Sequence, residues 1–145
     1  YAIGGNNKLV DFPRALINNG KIEFSFSGLK TSLLYFMDSF KESPDISFKD
    51  VVASYQQAII DSLLNKIKLA IEITGVSTIA IAGGVAKNSE LRRNLKSIDS
   101  AKKIIFPNLN YCTDNAAMIS YLGEIKFNLG KQSNINFGVI PNFQI

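Results

Sequence analysis

Three short stretches of this 145-residue chain combine residue types at spacings that could do chemistry. The first runs from Thr78 to Arg93 and contains Ala82-Gly83-Gly84-Val85-Ala86-Lys87-Asn88. Its β-branched and alanine start, Thr78 to Ala82, reads as a buried strand. Gly83 and Gly84 stop that strand and turn the backbone without a Cβ penalty. Asn88 and Ser89 offer N-cap oxygens to a helix that continues through Glu90, Leu91, Arg92 and Arg93. A strand, a glycine turn and a helix start present free backbone N–H groups to an anion. A flat ring or a phosphate could also lie close to a backbone with no Cβ. The same turn occurs in α/β folds that bind nothing there, so its surroundings decide what it means.

The second stretch is Cys112-Thr113-Asp114-Asn115-Ala116-Ala117-Met118. Thr113, Asp114 or Asn115 can each cap the helix that follows. Asp114 is therefore a plain N-cap or a carboxylate in a crowded site, with Ala116 and Ala117 leaving room for a neighbour. The third is Lys30, at the start of a helix, where a cation works against the macrodipole. It is either a solvated lysine or a cation set to meet phosphate.

What is missing narrows the chemistry. The chain has no histidine, which removes Ser-His-Asp and Cys-His catalysis and every imidazole metal site within it. One cysteine, Cys112, makes no disulfide framework and fits a reducing compartment.

The elements that position these stretches follow from periodicity. Tyr1 to Leu9 reads as a loop or tail, Phe12-Pro13-Arg14 as extended, and Asn18-Asn19-Gly20 as a turn. Glu23 to Ser27 alternates, with Phe24 and Phe26 on one face, and predicts a strand broken by Gly28. Leu29, Leu33, Phe36, Met37 and Phe40 predict a helix from Leu29 to Phe40. Ser47 and Asp50 form a capping-box pattern before a long core helix that ends near Thr74, with Gly75 as its C-cap. Its apolar stripe carries two polar members, Ser62 and Lys66. Ala101 to Phe106 predicts another strand, closed by Pro107, and a last helix runs to Leu129 with Gly130 ending it. Beyond Lys131 the chain is an irregular tail whose Phe137, Val139, Ile140 and Phe143 are expected to pack back on the body.

The order strand-helix-helix-strand-helix-strand-helix is α/β with a partly parallel sheet. Ligands in such sheets gather at the carboxyl ends of strands. The Ser27-Gly28 turn, the Gly83-Gly84 turn and the loop from Cys112 to Asn115 are expected to converge there. An apolar fraction of 46% against 19% charged residues supports a folded core in a single domain. The net charge of +4 permits an RNA partner without arguing for one. No apolar run approaches the ~18 residues of a membrane span.

Three segments together resemble one family. Phe24-Ser-Phe-Ser-Gly-Leu-Lys-Thr31, Ala82-Gly-Gly-Val-Ala-Lys-Asn88 with Leu91-Arg92, and Cys112-Thr-Asp-Asn-Ala-Ala-Met-Ile119 look like the carboxyl half of the TsaD family. These are tRNA threonylcarbamoyladenosine transferases, also called O-sialoglycoprotein endopeptidases or glycoproteases. Phe12-Pro13-Arg14 matches a further motif, so the resemblance runs from about Phe12 to Leu129.

The resemblance implies the actin, Hsp70 and sugar-kinase (ASKHA) fold, two ribonuclease-H-like lobes with nucleotide in the cleft. Residues 1–145 would supply most of the second lobe. It implies transfer of a threonylcarbamoyl group from threonylcarbamoyl-adenylate to the exocyclic amine of the adenosine beside the tRNA anticodon. It implies one divalent metal ion, iron or zinc, with Asp114 as this lobe's ligand. Asn88 would contact the nucleotide, with Gly83 and Gly84 lining the same pocket by backbone. Lys30 receives no role from the resemblance. The implied partners are tRNA, ATP or a related nucleotide, and the proteins of a modification complex, including a paralogous scaffold subunit. The implied setting is cytoplasmic, with no membrane.

Two departures shape the expectation. The family takes two metal-binding histidines from its first lobe, and this chain has none. The glycine-rich and acidic substrate contacts ahead of the second lobe are also absent. The chain therefore reads as a carboxyl-terminal part of a protein more than twice its size, inactive alone. Lys87 and Ser120 replace smaller residues usual at those sites. The alternatives are a non-catalytic paralogue acting as a dimerisation scaffold, which would be expected to lack the Asp114 motif, and another ATP-dependent enzyme of the same fold. The Phe24-to-Thr31 segment argues against the latter.

Overall fold

A computed structural model describes residues 2–98, 103–136 and 138. Its elements in chain order are α1 (Ser27–Ser39), α2 (Phe48–Thr74), β1 (Thr78–Ala80), a 3-10 turn (Gly84–Lys87), α3 (Ser89–Leu95), β2 (Lys103–Ile105), a 3-10 turn (Leu109–Tyr111) and α4 (Ala116–Asn128).

Helix α2 is the spine. Its 27 residues span about 40 Å at the usual rise per residue. Both ends close as the sequence predicts. Ser47 Oγ accepts from Asp50 N, and the Asp50 carboxylate accepts from Ser47 N at 2.8 Å, a complete capping box. Gly75, at φ 68°, donates its N–H to Ile71 O at 2.8 Å. That left-handed cap suits glycine.

Two cores divide α2 between them. Val51 and Ala58, toward its N-terminus, pack with Val10, Phe12 and Leu29 of the segment before α2. Phe12 lies edge-on to Phe36 at 5.6 Å and to Tyr55 at 5.4 Å between ring centroids, favourable geometry for aromatic quadrupoles. Ile60 and Ile71 pack with Leu91, Leu95 and Ile98 around α3. Ile79, Ile81, Ile104 and Phe106 bring the sheet against that second core.

The sheet pairs β1 with β2 in parallel, Thr78 opposite Lys103, Ile79 opposite Ile104 and Ala80 opposite Ile105. Parallel strands need a crossover, and α3 provides it. One further bond, Ile81 N to Ile105 O at 3.0 Å, extends the pairing past β1. The expected buried strand is in fact half-covered. Ile79 faces the core, while Thr78 and Ala80 are exposed on the other side.

The predicted strand from Glu23 to Ser27 does not form. Residues 23–26 are irregular, and α1 begins at Ser27, with Gly28 inside it. Phe26 already has helical angles, φ −102° and ψ −4°. Phe24 and Phe26 instead stack on each other, 6.1 Å between centroids, and both stay exposed. Alternation alone makes no strand without a neighbouring ladder to pair with. Residues 101–102 of the strand predicted from Ala101 to Phe106 lie outside the described residues, as do Phe137, Val139, Ile140 and Phe143 of the tail.

The opening loop is bound to α2. Asn6 N donates to Asp50 Oδ1 at 2.7 Å, Val10 N donates to Ser54 Oγ at 3.2 Å, and Asn7 Nδ2 donates to Gln57 Oε1 at 2.8 Å. Gly5 presses so closely that a Cβ there would collide with the Lys49 carbonyl oxygen. A second clamp holds the next loop. Lys66, 2% exposed, directs its ammonium donors to Leu16 O, Asn19 Oδ1 and Lys21 O. Leu16 has φ 60°, an uncommon conformation for a branched side chain, and Lys66 binds its carbonyl.

Helix α4 is rich in apolar residues, interrupted by Ser120, Glu124, Lys126 and Asn128, and its residues are all exposed. Among the described residues no helix is long and apolar enough to cross a membrane.

Candidate functional site

Gly83 takes φ 85° and ψ 172°, outside the range open to side-chain-bearing residues, so the turn after β1 requires glycine. The chain does not pass straight into a helix, as the sequence reading expects. The 3-10 turn Gly84–Lys87 intervenes, closed by Ala86 N to Gly83 O and Asn88 N to Val85 O, both at 3.0 Å. Ala86 is completely buried, which fixes the turn in the core and separates Gly83 from α3. The first N–H groups of such a turn have no partner within it.

Asn88 caps α3. Its Oδ1 accepts from Leu91 N at 2.9 Å. Its Nδ2 donates to Gln56 Oε1 on α2 at 3.1 Å. The side chain is thereby held at both ends. Gln56, Lys87 and Asn88 line two adjoining cavities. One, of about 560 Å³, is mostly apolar, walled by Val52, Tyr55, Ile59, Leu63, Gly84 and Val85 among others. The other, of about 610 Å³, is polar and reaches Gly4, Gly5, Ser89, Glu90 and Arg93.

The loop carrying Asp114 comes to the Gly83-Gly84 turn from the other side. A Cβ on Gly84 would lie 3.6 Å from Thr113 Cγ2. Arg92 secures this approach. Its guanidinium donates to Ala86 O in the 3-10 turn, to Pro107 O at 3.0 Å and to Cys112 Sγ at 3.3 Å. It also lies 4.8 Å from the centre of the Phe106 ring. Cys112 is 3% exposed under it.

The cap of α4 is Asn115. Its Oδ1 accepts from Met118 N at 3.0 Å, and its Nδ2 donates to Thr113 O at 2.9 Å. Asp114 is thus relieved of capping. Its carboxylate is exposed and, among the described residues, has no hydrogen bond or ion pair. Among the described residues no cluster of three His, Cys, Asp or Glu could hold a metal alone.

The structure therefore brings together Gly83, Gly84, Asn88 and the Asp114 loop. It does not add the third expected turn. Ser27 and Gly28 belong to α1, which packs in the other core, and no hydrogen bond among the described residues joins them to this loop. Lys30 is exposed on the first turn of α1, without an ion pair among the described residues.

A sequence model of the family described as tRNA N6-adenosine threonylcarbamoyltransferase matches residues 2–121. The chain belongs to that family. It is 44% identical over 146 residues to the tRNA N6-adenosine threonylcarbamoyltransferase of Kosmotoga olearia, covering 99% of this chain and 43% of that protein. Those of Thermosipho africanus and Clostridioides difficile are 38% and 37% identical, with 43% and 44% of their lengths covered. The chain thus spans less than half the length of these threonylcarbamoyltransferases. The match begins at residue 2, so it takes in the Gly4-Gly5 loop that the sequence reading leaves as a tail.

Two residues of this region escape the sequence reading. Gln56 lies beside the apolar stripe of α2 and joins the site through its bond to Asn88. Arg92 is present in the quoted motif, but its reach to Cys112, twenty residues on, is a tertiary fact.

Proposed function

We propose that this chain is the second, ribonuclease-H-like lobe of an ASKHA-fold enzyme that transfers a threonylcarbamoyl group from its adenylate to the exocyclic amine of an adenosine in tRNA. The observation that carries the reading is the approach of Thr113 to Gly84 beside Asn88. It brings a glycine turn, a held amide and the loop that carries Asp114 next to one another.

The donor is a mixed carbonyl–phosphate anhydride and is already activated. In the transfer, the amine nitrogen bonds to the carbamoyl carbon and the anhydride C–O bond breaks. The departing nucleotide keeps the electron pair on its phosphate oxygen, and the amine gives up a proton. The protein's task is to orient the donor and stabilise charge on the leaving phosphate. In this reading the apolar cavity beside Asn88 takes the base, and Asn88 holds the nucleotide. Gly83 and Gly84 let the ligand approach the backbone, and the 3-10 turn offers unpaired N–H groups. No side-chain nucleophile is required.

Asp114 fits as one ligand of a shared metal site, since its carboxylate is free and exposed while its loop is held. A single carboxylate does not hold an ion, and the two histidines expected to complete the site belong to the first lobe. A bound divalent metal, iron or zinc, would neutralise phosphate charge. ATP, the adenylate, tRNA and a paralogous scaffold subunit are the partners of this reading.

The test is threonylcarbamoyl transfer to tRNA by the whole protein, compared with its Asn88→Ala and Asp114→Ala forms. Loss of transfer in both supports the assignment. Transfer at the wild-type rate in both removes these residues from the site.

A further inference from the structure

We infer that Gln56 reads the base of the bound nucleotide, its side-chain Nε2 donating a hydrogen bond to a ring nitrogen. The inference rests on the nucleotide reading given above and deepens it, naming the group of this chain that tells one edge of the base from another.

The argument is a chain of hydrogen bonds whose direction is fixed at one end. A backbone N–H can only donate, so the atom of Asn88 that meets Leu91 N at 2.9 Å is the acceptor Oδ1. The other end of that amide is Nδ2, which has only donors to give. The atom of Gln56 that it meets at 3.1 Å is therefore Oε1. That leaves Nε2 as the outer end of Gln56. Among the described residues Nε2 makes no hydrogen bond, and none of their buried side-chain nitrogens or oxygens lacks a partner, so Nε2 is open. Gln56 borders the cavity of about 560 Å³, whose wall is largely aliphatic, with Val52, Ile59, Leu63 and Val85. Of the other polar side chains there, Asn88 is committed at both ends, Tyr55 packs edge-on against Phe12, and Lys87 is exposed. A mostly apolar pocket takes a flat ring by burial and orients it by a few placed polar groups. Here the placed group is a donor, and its complement on a heterocycle is an unprotonated ring nitrogen. The amide of Gln56 cannot offer its oxygen instead without losing the bond to Asn88.

The test replaces single ring nitrogens. ATP and its 1-deaza, 3-deaza and 7-deaza analogues, each with one ring nitrogen exchanged for C–H, are titrated into the whole protein by calorimetry. The wild type is expected to bind one analogue about 3–10-fold more weakly than ATP, the effect of one hydrogen bond. Gln56→Glu keeps an acceptor for Asn88 Nδ2 and lacks the donor, so Asn88 stays held. It is expected to bind ATP at least about threefold more weakly and to bind ATP and that analogue alike. Asn88→Asp keeps the cap acceptor but cannot donate, so the Gln56 amide reverses and presents Oε1. The same loss of discrimination is expected, and it decides the matter if the Gln56 variant does not fold. A Gln56 that only supported Asn88 would change the binding of all four nucleotides by one common factor. Equal binding of all four by the wild type would overturn the inference, as would discrimination that survives in folded Gln56→Glu or Asn88→Asp. The underlying reading is tested separately by whether the wild type binds ATP and Asn88→Ala binds it more weakly. If the wild type does not bind ATP, the reading and the inference both fail. If it binds all four nucleotides equally, only the inference does.

Discussion

Asn88 and Gln56 are joined across two helices, Asn88 Nδ2 donating to Gln56 Oε1 at 3.1 Å, while the same asparagine caps α3. One amide therefore sets both the start of α3 and its distance from the spine helix. This ties a structural role to a proposed ligand contact, and the two can be separated by substitution.

Asn88→Asp retains a cap acceptor but lacks the donor to Gln56. Asn88→Ala loses both. The alanine variant is expected to lose about 1 kcal/mol of stability, the usual worth of an N-cap. The aspartate variant is expected to lose less. Calorimetric titration of the whole protein with ATP should show both variants weakened. Urea unfolding supplies the stability comparison.

Lys66 is a clamp, and its removal should be felt in the loop it holds. Lys66→Met keeps the length of the side chain but none of its three hydrogen bonds. The expected loss is about 2 kcal/mol, in the range of charge-assisted bonds. Limited proteolysis should find new cleavage between residues 16 and 21, where Leu16 holds its left-handed conformation. An unchanged cleavage pattern would argue against the clamp.

Gly5 has no room for a methyl group. Gly5→Ala puts a Cβ against the Lys49 carbonyl and must move either the loop or the start of α2. The expected cost is about 1–3 kcal/mol, as for other overpacked sites. A denaturant midpoint equal to wild type would show that the loop is not pressed on α2 in solution.

Asp50 makes stability depend on acid. Its carboxyl lies below the ordinary value of 3.8, held there by the Ser47 hydroxyl first and then by the backbone N–H groups of Asn6 and Ser47. The unfolded chain therefore binds this proton more readily than the folded one. Stability from this group is complete above the unfolded value and is lost as pH falls below about 4 toward the lower folded value. Asp50→Asn is expected to be less stable at neutral pH and to show a shallower decline on acidification. Thermal melts across that range check both effects.

What was legible in the sequence was local. The capping box of α2, its glycine stop and the helical stripe are written in neighbouring residues, and the structure reproduces them. The parallel pairing of β1 and β2 could be read from a helix lying between two β-branched runs. The strand at Phe24 and Phe26 was misread because alternation reports which face a side chain would take, not whether a partner strand exists. The insertion of a 3-10 turn before α3 was hidden because Val85-Ala86-Lys87 suits several backbone forms. Lys66 stood out as a charge in an apolar stripe, and its burial follows from the three acceptors of a loop some fifty residues away. No window on the sequence contains them. At the site, the motif residues were readable, while Gln56 and Arg92 acquire their roles only through tertiary contacts.

The most direct measurement is the metal content of the whole protein and of its Asp114→Ala form, purified alike and assayed by mass spectrometry. The account predicts near one equivalent of divalent metal in the wild type and strong depletion in the variant, with both folded. A folded Asp114→Ala protein that keeps a full equivalent would contradict it, because the carboxylate freed by the Asn115 cap would then have no part in holding the ion.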